Sequence, residues 1–115
     1  MKLYQVWGLV QHLAEIEKLE VSGRPAFVIA VNLSKIKPVI AAIDKTRLGL
    51  IKKYDVSGES VPNDKMEDFI NEFNEFLKDD ADIELKKFKV DDFEIVEGFK
   101  TKVGTINAVL ELMGE

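Results

Sequence analysis

The 115-residue chain has no cysteine and a single histidine, His12. Disulfides, thiolate nucleophiles and cysteine-based metal sites are thereby excluded, and one imidazole is too few for a multi-histidine metal site. Apolar runs are short as well. No stretch reaches eighteen uninterrupted apolar residues, so no membrane span is expected, and the first residues lack the basic region, apolar core and small-residue cleavage site of a signal peptide. Low-complexity tracts are also missing. Together these absences predict an intracellular protein that needs no cofactor.

Motifs that cradle phosphates are absent: there is neither GxxxxGK nor GxGxxG. Asp55-x-Ser57-x-Glu59 begins like a calcium loop, but glycine falls at the fourth position instead of the sixth, and Met66 stands where the bidentate acid belongs. Asn32-Leu33-Ser34 is a formal glycosylation triplet inside a helical pattern and reads as chance. Paired carboxylates such as Glu15/Glu17, Asp79/Asp80 and Asp91/Asp92 sit in charged surface runs, with nothing to split their pKa values for acid–base work. His12 reads as a residue of a polar face or helix boundary. The chain is not expected to be an enzyme.

What is present is 46% hydrophobic and 32% charged residues, the composition of one folded domain spanning 1–115. The net charge of −5 hides an asymmetry, because residues 1–55 carry nine bases against five acids and residues 56–115 seven against sixteen. Two halves that fold against each other explain the split, and nucleic-acid binding is not favoured, since no aromatic–basic interleaving accompanies the lysines.

The strongest periodicity runs from Arg24 to Tyr54. Ala26, Ile29, Leu33, Ile36, Ile40, Ile43, Arg47, Leu50 and Tyr54 form one stripe, which predicts a helix of about 45 Å. Pro38 lies inside it, and because the phase survives the proline, a kink is predicted rather than a break. Leu3 to Leu19 reads as a first helix, and the short break at 21–25 predicts an antiparallel hairpin. That first helix is too short to cover the long one beyond Ile43. The cover is assigned to a third helix, Lys65 to about Lys78, capped by Asn63 or Asp64 and facing inward with Met66, Phe69, Ile70, Phe73, Phe76 and Leu77.

Ile83 to Val90 alternates with one phase shift and predicts a short strand pairing with Ser60-Val61. Asp91-Asp92 predicts a helical turn at Phe93–Val96. A last helix opening at Thr101 is expected to bury Val103, Ile106, Leu110 and Met113. The expected fold is therefore mainly α: an antiparallel helical hairpin with one long kinked helix, two further helices and a short two-stranded β ribbon.

Two regions of the long helix stand out as binding candidates. Its start, Ala26 to Val31, is apolar all round, so Val28, Val31 and Val39 require either the last helix or a second copy of the chain to cover them. Its end groups Arg47 with Lys52, Lys53 and Tyr54. Arg47 is read as pairing with an acid from 64–82, and alternatively as an anion-binding residue. The candidate binding residues are Arg24, Phe27, Val28, Val31, Arg47, Lys53 and Tyr54.

The strings IKKYDVSGESVP and DFINEFNEFLKDDADIELKKFKVDDFE, following a helix pair and followed by a short closing helix, resemble a set of small proteins encoded by tailed phages and prophages. The shared features are a long helix ending in Lys53-Tyr54, an acidic helix, and an extended segment matched by Asp82-Ile83-Glu84-Leu85, over roughly residues 24–113. The resemblance implies a non-enzymatic accessory protein of the host cytoplasm or the virion that binds a virion or host protein. The alternative is a phage protein that sequesters a nucleotide-like ligand, with Trp7, Arg24, Phe27, Arg47 and Tyr54 around the pocket. A hydrolase is a distant third.

Overall fold

The computed structural model describes residues 1–21, 23–56, 58, 61–93 and 103–114. Helix α1 spans Leu3–Gly8, and a 3-10 turn at Val10–His12 joins it to α2, Leu13–Lys18. The long helix α3 is Gly23–Tyr54, α4 is Asn63–Phe76, and α5 is Val103–Met113. A further 3-10 turn lies at Val90–Asp92.

The first helical arm differs from its prediction. Gly8 has the poorest helix propensity after proline, and the helix tightens to 3-10 immediately after it. The two halves take different neighbours, α1 packing on α3 and α2 on α5, while Glu17 of α2 reaches Lys37 of α3 as an ion pair.

Helix α3 begins at Gly23, whose φ of +69° suits a residue without Cβ, and runs unbroken through Pro38. It is one long kinked helix, as the conserved phase of the stripe predicts. Asp55 ends it in the left-handed region at φ 52°, and Val56 N–H donates to the Ile51 carbonyl at 3.1 Å, the six-to-one bond of a Schellman cap. The buried stripe is Pro25, Val28, Ile29, Asn32, Ile36 and Ile43. In the first half it passes through Asn32, and Leu33 is only half-buried. Val28 is fully buried and Val31 and Val39 half-buried, so most of the apolar excess at the start of α3 is covered within the chain.

Helix α4 covers the far part of α3, with Pro62 rather than Asn63 or Asp64 at its N-cap. Phe69 stacks on Phe73, Phe76 lies tilted against Phe73 at 6.4 Å, and Trp7 meets Phe73 edge-on at 5.8 Å. Met66 and Ile70 remain exposed, on the outer edge of the predicted face.

The predicted β ribbon is absent: no strand occurs among the described residues, only isolated bridges of Lys2 with Asp80 and of Phe88 with Gly114. Ser60 lies outside the described residues. The segment 83–88 finds its partners on helices instead. The fully buried Asn32 side chain donates to the Lys86 carbonyl at 3.0 Å and accepts from the Lys86 N–H at 2.8 Å. Lys35 Nζ donates to the Glu84 carbonyl, and Phe88 N–H to the Met113 carbonyl. A side-chain amide thus supplies both bonds that a neighbouring strand would supply.

The C-terminal prediction also shifts. A 3-10 turn spans Val90–Asp92; of the turn predicted at 93–96, residues 94–96 fall outside the described residues, as does Thr101. Helix α5 buries Thr105, Val109 and Met113 while Val103 is 71% exposed, because Thr105 finds polar partners inside and can take a core position.

Length and composition alone would let α3 cross a membrane, since an eighteen-residue window has mean hydropathy 1.7. Counting uninterrupted apolar residues conceals this. Within the same helix, however, Asn32, Lys35 and Lys37 each bond to another part of the chain, which marks α3 as the axis of this fold.

Replacing Asn32 by alanine should lower unfolding free energy by about 2 kcal/mol or more, read by chemical denaturation, because Lys86 loses both partners. Asn32→Asp should cost more, since a carboxylate cannot donate to the Lys86 carbonyl and is buried with charge. A second expectation concerns Asp80. Its carboxyl sits below the ordinary aspartate range because the Asp82 N–H donates to it at 2.7 Å, with the N-terminal ammonium and Lys2 adding attraction. Its contribution is present above the unfolded aspartate pKa and lost as pH falls through the lower folded value. Asp80→Asn should flatten the stability profile in that acid window and lower stability at neutral pH, where the wild-type carboxylate contributes.

Candidate functional site

Whether α3 carries a site depends first on which of its faces is covered. The molecule measures 50 × 30 × 18 Å, and the 32 residues of α3 fill the long dimension at about 1.5 Å each. A thickness of 18 Å holds two layers of elements at the usual helix spacing of about 8–10 Å. One side of α3 therefore meets the rest of the chain and the other meets solvent.

Fifteen residues of α3 are exposed, and the five charged ones among them, Arg24, Lys37, Lys45, Lys52 and Lys53, are all basic. Phe27, 58% exposed, and Leu48, 53% exposed, lie among them with Ala30, Pro38, Ala41, Ala42 and Gly49. The outer side of α4 has the opposite sign: its exposed residues include Asp64, Glu67, Asp68 and Glu75 against Lys65 alone. The sequence asymmetry between halves thus becomes an asymmetry between surfaces. Lys37 is paired with Glu17 and Lys53 with Glu72, which leaves Arg24, Lys45 and Lys52 as the cations of this face without an ion pair among the described residues.

The candidate residues are not brought together. Arg24, Phe27, Val28 and Val31 lie at one end of α3, and Arg47, Lys53 and Tyr54 at the other, up to about 45 Å away. Val28 is inaccessible in the core. Arg47 does not reach the acids of 64–82; its Nε and Nη2 donate to Asp44 Oδ1 at 3.1 and 2.9 Å on its own helix. An acid three residues back is within reach without ordering another element, which is why the local pair prevails. Lys53 makes the inter-helix link in its place, with Nζ 2.7 Å from Glu72 Oε1 and 5.1 Å from the centre of the Tyr54 ring. The Glu72 bond holds the Lys53 ammonium above the ordinary lysine range, so on the alkaline side this link persists past the pH at which a free lysine loses its charge.

Arg24 lines an open groove of about 340 Å³ shared with Lys87, Phe88, Lys89 and Asp92. Two further grooves run beside α1. One, of about 410 Å³, includes Tyr4, Gly8, His12 and Glu111; the other, of about 320 Å³, includes Met1, Gln5, Ile83, Leu85 and Leu112.

One polar cluster escapes sequence reading. His12 Nδ1 lies 2.9 Å from Thr105 Oγ1, and that hydroxyl donates to Glu15 Oε2 at 3.0 Å. A hydroxyl has one proton; with it given to Glu15, Oγ1 accepts from the His12 Nδ1–H, which sets the imidazole tautomer. Thr105 is fully buried and lies between its two partners, so the arrangement is a clamp of α2 to α5 and not an exposed nucleophile awaiting a base. The ninety-residue separation gives no local motif that would reveal it. Among the described residues no group of three acids or histidines is arranged to hold a metal ion.

Thr105→Val keeps the shape and removes the hydroxyl. Stability should fall by about 1–2 kcal/mol, and a double-mutant cycle with His12→Ala should show a coupling near 1 kcal/mol. Additive effects would separate the two residues.

Comparison with family models, with curated proteins and with solved structures gives no match to this chain.

Proposed function

We propose that the protein is a non-enzymatic binding protein whose partner is an acidic protein surface docked along the outer face of α3. The observation that carries this reading is that the exposed charges of a 32-residue helix are all basic, in a chain of net charge −5. Phe27 and Leu48 supply apolar anchors separated by about six helical turns, and Arg24, Lys45 and Lys52 lie beside them. Small residues between the anchors, Ala30, Ala41 and Ala42, allow a partner helix to approach closely. Charge of one sign on such a face steers the encounter and selects against basic partners.

The resemblance to small phage and prophage proteins adds the biological setting, an accessory protein acting on a virion component or a host factor. The small-ligand alternative draws on one feature, the groove where Arg24, Lys87 and Lys89 meet. Asp92 on the same groove opposes an anion, and the remaining aromatic and basic candidates stand far from it.

A photoreactive residue at position 48 should give a discrete cross-link to one acidic protein in expressing cells. The same residue at position 71, on the exposed side of α4, should not. The cross-link should fall at least several-fold with Lys45→Glu plus Lys52→Glu, whose side chains make no bond among the described residues. Equal labelling from positions 48 and 71, or labelling indifferent to the charge reversal, would refute the proposal.

A further inference from the structure

The bonds to the segment 83–88 alternate. Glu84, Lys86 and Phe88 turn backbone groups toward α3 and α5, where Lys35, Asn32 and Met113 satisfy them. In an extended chain the N–H and C=O of successive residues point to opposite edges. The backbone groups of Ile83, Leu85 and Lys87 therefore form the other edge, and no protein atom bonds to any of them among the described residues. That edge borders the open groove of about 320 Å³ beside Met1 and Gln5. It is a strand edge without a sheet, able to template another extended chain.

We infer that this edge pairs with the same edge of a second copy, antiparallel and two-fold about Leu85. The occupant follows from register and charge. With Leu85 opposite its own counterpart, Ile83 faces Lys87 of the other copy, and every backbone group of this edge finds a partner. Between these hydrogen-bonded pairs lie the close, non-hydrogen-bonded positions, and there Glu84 of each copy stands opposite Lys86 of the other. Glu84 and Lys86 are exposed, and neither side chain makes a bond among the described residues. The neighbouring registers fail on charge: centring on Ile83 sets Asp82 against Glu84, and centring on Lys87 sets that lysine against itself. The short sequence Ile83-Glu84-Leu85-Lys86-Lys87 is thus self-complementary in one antiparallel register. The pairing is isologous and closes at two copies. It uses a surface apart from the outer face of α3 and stands independently of the partner proposed there.

The test is sedimentation or light scattering of the intact chain over a range of concentration. Wild type should dimerise. Glu84→Lys and Lys86→Glu should each weaken the dimer by roughly tenfold or more, since each places like charges opposite at two positions. The double variant Glu84→Lys/Lys86→Glu should recover most of the affinity. Thermal melting of the monomeric singles should match that of wild type diluted until it too is monomeric, because the backbone bonds to Asn32 and Lys35 do not involve these side chains. Hydrogen exchange should show the Ile83, Leu85 and Lys87 amides protected in wild type and open in either single variant. A wild type that stays monomeric, an assembly larger than a dimer, single variants that dimerise normally, or a double variant that fails to recover would each overturn the proposal.

Discussion

A carboxamide inside a helix holds a segment that has no strand to pair with. Asn32 is fully buried, and both its donor and its acceptor are used by the backbone of Lys86. Removing a polar side chain from water is unfavourable unless its hydrogen bonds are replaced, and here a single residue of the extended segment replaces them. The arrangement fixes where 83–88 lies along α3 to within one residue, because the N–H and C=O of a single residue meet that amide. Phe88 is then delivered to the core, where it stacks on Phe93 at 5.4 Å and bonds to the end of α5.

The same contact explains the sidedness of α3. Covering a helix of 32 residues takes more neighbours than this chain provides. α1, α4 and the extended segment share one side of it, and the 18 Å thickness leaves no room for another layer. The outer side is therefore exposed along its length. Its content is selective: a helix that merely needed solubility would carry acids and bases in alternation, as surface helices do through their i,i+4 pairs. Instead the one acid of α3, Asp44, is occupied by Arg47, and the exposed charges are of one sign.

Polar clamps recur at the places where elements are joined. Thr105 between His12 and Glu15 ties α2 to α5, Lys53 to Glu72 ties α3 to α4, and Asp80 gathers the N-terminal amine and the turn at Asp82. Small apolar cores specify position weakly, since Ile, Leu and Val surfaces slide over one another at little cost. Directional hydrogen bonds between distant residues supply the registration that such a core lacks.

The sequence by itself determined the helical character, the long axis, the position of α4 and the continuity through Pro38, because periodicity of 3.6 and the chemistry of turns are local properties. It also showed the charge split and the lack of residues for thiol or multi-histidine chemistry. The tertiary structure decided which side of each helix is inside. Asn32 reads as a polar interruption next to Leu33 until Lys86 is seen to satisfy it, and Thr105 is a poor core residue until His12 and Glu15 arrive from the other end of the chain. The strand expected at 83–90 failed for the same reason. Alternation in a sequence shows that a segment is extended, but not whether its partner is another strand or the side chain of a helix.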